Sequence, residues 1–253
     1  MSSASARPIE PRLYLLDIEG TVAPLTLTTG QLFPYARAHF RGFLEQNAGD
    51  AAVREDLALL AAENRVETDP AMPCQLAEVS EMDSGDGARF RMGAYMYLSW
   101  LMDRDRKSTA LKSLQGKIWK AGFESGELKG TLFADVPLAF ERWSREGKVA
   151  IYSSGSVEAQ KLLFRYSIFG DLTPRIAGYF DTRTGAKKES ASYAAIAEAM
   201  GVIPGEAIFF SDIVRELDAA REAGMQTKLV VREGNAAVED ANGHPILASF
   251  DGF

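Results

Sequence analysis

The feature that most constrains the fold of this chain is a set of five short apolar segments. The last four are separated by amphipathic segments of about ten residues. The apolar segments cover residues 12–18, 148–152, 176–181, 206–210 and 226–231, and each has the composition of a buried strand. Helical apolar spacing covers residues 135–147, 156–167, 190–201 and 213–224. Strands that alternate with helices in this way predict an α/β core, a doubly wound parallel sheet with helices on its faces.

The residues between the first two predicted strands follow a different pattern. From about residue 26 to residue 131 the spacing is helical, and no segment has the character of a strand. We interpret residues 26–131 as a helical cap inserted into a catalytic core formed by residues 12–25 and 132–253. Residues 1–11 are expected to form a flexible tail, and residues 232–253 a polar loop with a short apolar end.

Composition narrows the class of function. The formal net charge of −7 disfavours nucleic acid or an anionic membrane as the main partner, because both require a basic surface. One cysteine and two histidines disfavour a zinc site, so any metal should be a hard cation held by carboxylates. The sequence has neither the apolar core of a signal peptide nor an apolar run of about 18 residues. We therefore expect a cytoplasmic protein, with a monomer as the default.

Polar side chains follow the first four predicted strands. They are Asp17 and Glu19 after the first, Ser153 and Ser154 after the second, Lys187 after the third and Asp212 after the fourth. Ligands of such sheets bind beyond the carboxyl ends of the strands, so these groups should share one site. Each residue alone has an ordinary explanation as a turn, a cap or a surface charge. Their joint placement at four strand ends favours a catalytic site.

This set of side chains suits phosphoryl transfer through a carboxylate. Asp17 can attack phosphorus, and Asp17 with Asp212 can hold a Mg²⁺ ion. Lys187 adds positive charge where the transferring group carries negative charge, and Ser153 lies at a helix start that suits phosphate oxygens. Glu19 lies two residues from Asp17 on the same side of the chain, so it can protonate the leaving oxygen and later deprotonate water.

The turn after Asp17 carries two further expectations. Gly20 should give the turn room. Thr21 is expected to fix the Asp17 carboxylate by a hydrogen bond.

The order of these motifs resembles the haloacid dehalogenase superfamily. The motif Asp-x-Glu-Gly-Thr at residues 17–21 is followed by a strand and Ser153, by Lys187, and by a strand and Asp212. The usual first motif there is Asp-x-Asp-x-Thr. Glu19 in its second place resembles one branch, the enolase-phosphatases (acireductone synthases) of methionine salvage. The segments "SSGSVEAQKLLF" and "FFSDIVRELDAA" are similar to that branch, and the similarity spans nearly the whole chain beyond the tail.

The resemblance implies a bifunctional, Mg²⁺-dependent enzyme with one ion per subunit. Such an enzyme enolises 2,3-diketo-5-methylthiopentyl-1-phosphate and then dephosphorylates it to 1,2-dihydroxy-3-keto-5-methylthiopentene through an aspartyl-phosphate. The resemblance also implies that Asp17 is the nucleophile and a metal ligand. Asp212 would be the second acidic ligand, and the backbone carbonyl of Glu19 a further ligand. Ser153, Ser154 and Lys187 would bind the substrate phosphate.

Several assignments stay open. The sequence does not fix the base for the enolisation: Glu19 is one candidate, and His39 is more often a packing or capping residue. Glu216 and Asp218 lie four and six residues after Asp212, and Glu216 fits the usual spacing of a second acid better.

Alternative functions also fit the predicted fold. One is a phosphatase of the same superfamily acting on another small phosphate ester, a phosphomutase or a dehalogenase. A dehalogenase attacks carbon and needs no Mg²⁺, so Glu19 and Asp212 argue against it. Another is a non-enzymatic binding protein on the same fold, although its site residues would be expected to decay. A dinucleotide binder is disfavoured because "DIEGTVAP", not G-x-G-x-x-G, follows the first strand.

Overall fold

The structure, a computed structural model, describes residues 10–80 and 86–253. These residues form two compact units, Thr28–Ser125 and a unit made of residues 10–27 and 126–253. Residues 1–9 of the predicted N-terminal tail lie outside the described residues. Within the described part of the chain, no helix is long and apolar enough to cross a membrane.

The unit Thr28–Ser125 is helical. Its helices are α1 (Phe33–Asn47), which follows a π-helical segment (Leu27–Leu32), α2 (Ala51–Arg65), α3 (Gly87–Asp103) and α4 (Thr109–Ser125). Helix α2 begins where the Asp50 carboxylate accepts a hydrogen bond from the Val53 N–H (3.0 Å). Apolar residues at helical spacing, among them Phe40, Leu57 and Leu114, give this unit a buried core of its own.

The other unit contains a parallel sheet of six strands in the order β3-β2-β1-β4-β5-β6. The strands are β1 (Leu13–Leu16), β2 (Lys148–Tyr152), β3 (Gly178–Phe180), β4 (Ala207–Ser211), β5 (Gln226–Val230) and β6 (Ile246–Leu247). Four helices alternate with them: α5 (Val136–Glu146), α6 (Val157–Arg165), α7 (Ser190–Met200) and α8 (Val214–Glu222).

Both faces of the sheet are covered, which explains why β1 and β4 are buried along their whole length. Leu13 and Leu15 lie in a cluster with residues of α7 and α8. Tyr14 points the other way and stacks on Trp143 of α5, with ring centroids 5.0 Å apart. The predicted fold class, a doubly wound α/β core, is therefore confirmed.

The C-terminal residues contain more structure than the expected polar loop. Ile246 and Leu247 form β6, which pairs in parallel with Leu229 and Val230. A two-residue strand shows no periodicity, so its sequence could not distinguish it from a loop with an apolar end.

The strand order determines where polar side chains converge. From the central β1, the chain adds β2 and β3 on one side and then β4, β5 and β6 on the other. The progression along the sheet therefore reverses at β1. The carboxyl ends of β1 and β4 border the crevice in which sheets of this kind bind ligands.

Candidate active site

Asp17 follows β1 directly and remains in the sheet's hydrogen-bond pattern. Its N–H donates to the Phe210 carbonyl (3.0 Å), and the residue is 7% exposed. The chain then turns sharply, since the N–H groups of Val22 and Ala23 both donate to the Ile18 carbonyl at 2.9 Å. The end of β1 thus holds the Asp17 carboxylate at the edge of the sheet.

Lys187 lies between two carboxylates. Its Nζ is 2.6 Å from Asp17 Oδ1 and 2.6 Å from Glu216 Oε2, and its side chain is 11% exposed. Two tyrosines hold the backbone of the loop that carries Lys187. The Tyr193 hydroxyl donates to the Lys187 carbonyl (2.7 Å), and the Tyr152 hydroxyl donates to the Gly185 carbonyl (3.0 Å). The lysine is therefore a fixed charge within the site.

Glu216 belongs to this cluster, although the sequence left its role open. It lies in the first turn of α8, and its Oε2 also accepts a hydrogen bond from Ser211 Oγ (3.0 Å). Its position four residues after Asp212 is the signal that pointed to it. Asp218 instead faces away, where its Oδ1 bonds with Arg221 (2.7 Å) and lies 3.0 Å from His244 Nε2.

Asp212 follows β4 and faces the turn after Asp17. A Cβ at Gly20 would lie only 2.3 Å from Asp212 Oδ2, and Gly20 has a φ of +72°. Glycine is thus required here by close approach as well as by backbone conformation. The expectation that Gly20 gives the turn room agrees with this geometry.

The site holds more buried negative than positive charge. Burial, and then the nearby charge of Asp17, raise the pKa of Asp212 to about 7. The same two causes raise the pKa of Glu216. Burial lowers the pKa of Lys187, but the charges of Asp17 and Glu216 outweigh it and raise this pKa above its ordinary value. One ammonium does not balance these carboxylates, so the site favours a further cation.

Glu19 is half-buried beside Asp17 and forms an isolated β-bridge with Ala23. Thr21 differs from the expectation. Its Oγ1 is buried and has no hydrogen-bond partner among the described residues, so the predicted bond to Asp17 does not form. The turn is fixed through backbone groups instead, as in the hydrogen bond from the Gly20 N–H to the Ala23 carbonyl (2.7 Å).

The two serines lie at the carboxyl end of β2, the neighbour of β1. The Ser153 N–H donates to the Phe180 carbonyl (3.1 Å), and its Oγ accepts from the Gly155 N–H (3.3 Å). Ser154 is exposed. Ser156 caps α6 by accepting from the Ala159 N–H (3.3 Å), so the serines stand directly before a helix start.

His39 lies on α1, where its Nδ1 is 2.8 Å from the Tyr35 carbonyl oxygen and its ring stacks on Tyr35. This fits the packing role favoured by the sequence.

In residues 10–80 and 86–253, no group of three or more His, Cys, Asp or Glu side chains could hold a metal ion. A cation at Asp17 and Asp212 would therefore need backbone, water or substrate oxygens as well.

Comparisons with known proteins agree on one family. Residues 11–224 match the haloacid dehalogenase-like hydrolases. The chain is 51% identical over 233 residues to enolase-phosphatase E1 of Synechococcus elongatus, covering 92% of this chain and 93% of that one. It is 40% identical over 252 residues to enolase-phosphatase E1 of Danio rerio, with 98% and 97% covered. The crystal structure of the UTR4 protein of Saccharomyces cerevisiae is similar, with a TM-score of 0.76, 33% identity, and 96% and 100% covered.

Proposed function

Because this chain belongs to the haloacid dehalogenase-like hydrolases, and within them to the enolase-phosphatases, we propose that it catalyses the enolase-phosphatase step of methionine salvage. Its substrate is 2,3-diketo-5-methylthiopentyl-1-phosphate, and its products are 1,2-dihydroxy-3-keto-5-methylthiopentene and phosphate. The observation that carries the proposal is the contact of Lys187 Nζ with Asp17 Oδ1 at 2.6 Å, at the edge of the sheet where Asp212 also lies. This arrangement supplies a nucleophile, a countercharge and a second acid.

Asp17 is the nucleophile in this proposal. One of its carboxylate oxygens attacks phosphorus, the bond from phosphorus to the leaving oxygen breaks, and an aspartyl-phosphate forms. Glu19 donates a proton to the leaving oxygen and later accepts one from the water that hydrolyses the aspartyl-phosphate. Glu19 is also the candidate base for the enolisation, which removes a proton from the carbon next to a carbonyl.

The residues present fit a Mg²⁺ ion. Burial of the Asp212 carboxyl, and then the nearby charge of Asp17, raise the pKa of Asp212 to about 7, as expected of acids that lack sufficient countercharge. These two carboxylates and the backbone carbonyl of Glu19 would hold the ion, with the substrate phosphate completing the oxygen shell. When bound, Mg²⁺ supplies positive charge that offsets repulsion between Asp17 and the phosphate.

The substrate phosphate would be bound by Lys187, Ser153 and Ser154. Lys187 is poised to bridge Asp17 and a phosphate oxygen, which places its charge where negative charge is transferred. Glu216 holds the lysine from the other side at 2.6 Å. The serines stand before the start of α6, and the N-terminus of a helix favours phosphate oxygens.

We further propose that residues 26–131 act as the cap of this enzyme, which their helical character supports.

We also propose that the protein works as a cytoplasmic monomer without nucleic-acid or membrane partners. The net charge of −7 supports the absence of nucleic-acid and membrane partners. Size-exclusion chromatography with light scattering tests the monomer, for which 27.6 kDa is the expected mass.

The test of the activity is phosphate release from the diketo-methylthiopentyl phosphate, with Mg²⁺ and with EDTA, beside the variant Asp17→Asn. Absorbance of the ene-diol product is followed in the same sample. We expect Mg²⁺-dependent release together with that absorbance, and loss of phosphate release in the variant. Release without the absorbance would leave a phosphatase that lacks the enolase step. No release from folded protein would contradict the proposed substrate and favour another small phosphate ester.

A further inference from the structure

A turn near the C-terminus contacts the loop that follows β1. The turn, Arg232–Asn235, is closed by a hydrogen bond from the Asn235 N–H to the Arg232 carbonyl (3.1 Å). Asn235 Nδ2 donates to the Gly20 carbonyl (2.9 Å), and Arg232 Nε donates to the Thr21 carbonyl (3.1 Å). Two successive carbonyls of the loop are thus held by the side chains of one turn.

Arg232 is itself held rigidly. Its Nη1 lies 2.6 Å from Asp135 Oδ2, and both side chains are buried. Its guanidinium lies over the ring of Phe133 and over the ring of Phe250, 4.6 and 4.4 Å from their centroids. Because a planar guanidinium held in this way cannot move freely, it fixes the position of the Thr21 carbonyl.

Asn235 contacts the loop at Gly20, its most closely packed residue. Gly20 lies against Asp212 on one side, has a φ of +72°, and donates its N–H to the Ala23 carbonyl. Rotation of the backbone at Gly20 would turn the adjoining peptide and move Glu19. The hydrogen bond from Asn235 opposes that rotation.

We propose that Arg232 and Asn235 are positioning residues for the reaction. By holding the carbonyls of Gly20 and Thr21, they fix the orientation of the preceding acids, Asp17 and Glu19. The inference rests on the proposed function for the roles of those two acids. It assigns to the C-terminal segment a part in the active site that its sequence, polar and rich in loop residues, does not indicate.

The test uses Asn235→Ala and Asn235→Asp in the full chain. Asn235 is chosen because replacing Arg232 would also leave the buried Asp135 unpaired. We expect Asn235→Ala to lower kcat for phosphate release about 10- to 100-fold, with KM changed less than about threefold, because misplacement affects the reaction more than binding. Asn235→Asp should lower kcat further, since a carboxylate oxygen would then face the Gly20 carbonyl. Calorimetric titration of substrate-free protein with Mg²⁺ should show a Kd weakened by about fivefold or more in both variants.

The matched control is Asn242→Gly in the same segment. Asn242 Nδ2 donates to Asp218 Oδ1 (2.6 Å), and its φ of +47° suits glycine. This change loosens the C-terminal segment without touching the loop, so kcat and the Mg²⁺ Kd should stay within about twofold of the wild type. Wild-type kcat and Kd in folded Asn235 variants, or equal losses in Asn242→Gly, would overturn the inference. If the wild type releases no phosphate, the proposed function fails, and the Mg²⁺ Kd alone decides the inference.

Discussion

At the scale of single residues, two adjacent lysines provide a sharp comparison. The ammonium of Lys187 contacts Asp17 and Glu216, whereas the side chain of Lys188 is exposed. Lys187→Met leaves both carboxylates without this countercharge and removes a charge from the proposed phosphate site. We expect it to lower kcat/KM about 10²- to 10³-fold. Lys188→Met should change it less than about twofold. Steady-state phosphate release checks both, and equal losses would exclude Lys187 from the site.

Two glycines offer a second comparison at this scale. A Cβ at Gly20 would meet Asp212 Oδ2 at 2.3 Å on a backbone with positive φ, whereas a Cβ at Gly42 in α1 meets nothing within 4 Å. We expect Gly20→Ala to lower the free energy of unfolding by about 1–3 kcal/mol. Displacement of Asp212 should also lower kcat about 100-fold.

Gly42→Ala should instead raise the free energy of unfolding by up to about 1 kcal/mol, because alanine favours a helix interior. Urea denaturation measures both values. A Gly20→Ala variant with wild-type stability and activity would contradict the close approach.

The sequence could predict individual site residues only where chemistry and position coincide. Asp17 and Lys187 could be named because each follows a recognisable strand, and the structure brings them into contact. Glu216 could be noticed by spacing but not assigned, because its contact with Lys187 depends on how α8 packs. The prediction of a hydrogen bond from Thr21 to Asp17 was wrong, since backbone groups already fix the turn.

At the scale of elements, continuous apolar strands are predictable and short ones are not. β1 and β4 are buried throughout and apolar apart from Ser211 at the end of β4, so their positions follow from sequence. The predicted strand at residues 176–181 is reduced to Gly178–Phe180, the residues that lie in register with Ala150–Tyr152 of β2. β6 was missed, since two residues carry no pattern and their pairing depends on β5.

The link between α5 and the C-terminal segment should make stability depend on pH. Asp135, the residue before α5, accepts hydrogen bonds from Arg232 and from the Phe250 N–H, both at 2.6 Å. Burial would raise the pKa of Asp135, but these hydrogen bonds outweigh it and lower the pKa below its ordinary value. A lowered folded-state pKa stabilises above the unfolded pKa of about 4, and this stabilisation is lost as pH falls through the folded-state value.

We therefore expect Asp135→Asn to lower the free energy of unfolding by about 3 kcal/mol at pH 7, and the difference from the wild type to shrink below about pH 4. Denaturant titrations across this range measure it. The control is Glu141→Gln in α5, whose partner Arg145 is largely exposed, and it should cost less than about 0.5 kcal/mol. A difference for Asp135→Asn that is constant from pH 7 to pH 3 would contradict the assigned pKa direction.

At the scale of the whole molecule, the family and fold class predicted from sequence are confirmed, but the strand order could not be read from the chain. Alternating strands and helices specify parallel pairing, because each helix carries the chain back to the start of the next strand. They do not specify on which side of β1 each strand is added. That choice depends on which face each helix covers, and it brings β4 and Asp212 beside β1 and Asp17.

Two compact units, each with a buried core, should respond separately to the loss of core volume. Leu57 lies in the core of Thr28–Ser125, and Leu229 lies in the cluster against the sheet; both are fully buried. We expect Leu57→Ala to destabilise its unit by about 2–5 kcal/mol and to accelerate amide hydrogen exchange in α1–α4. Exchange in β1, β2 and β4 should stay at the wild-type rate. Leu229→Ala, the matched control, should give the reverse pattern. Equal acceleration of helices and strands in both variants would mean that the two units open as a single cooperative structure.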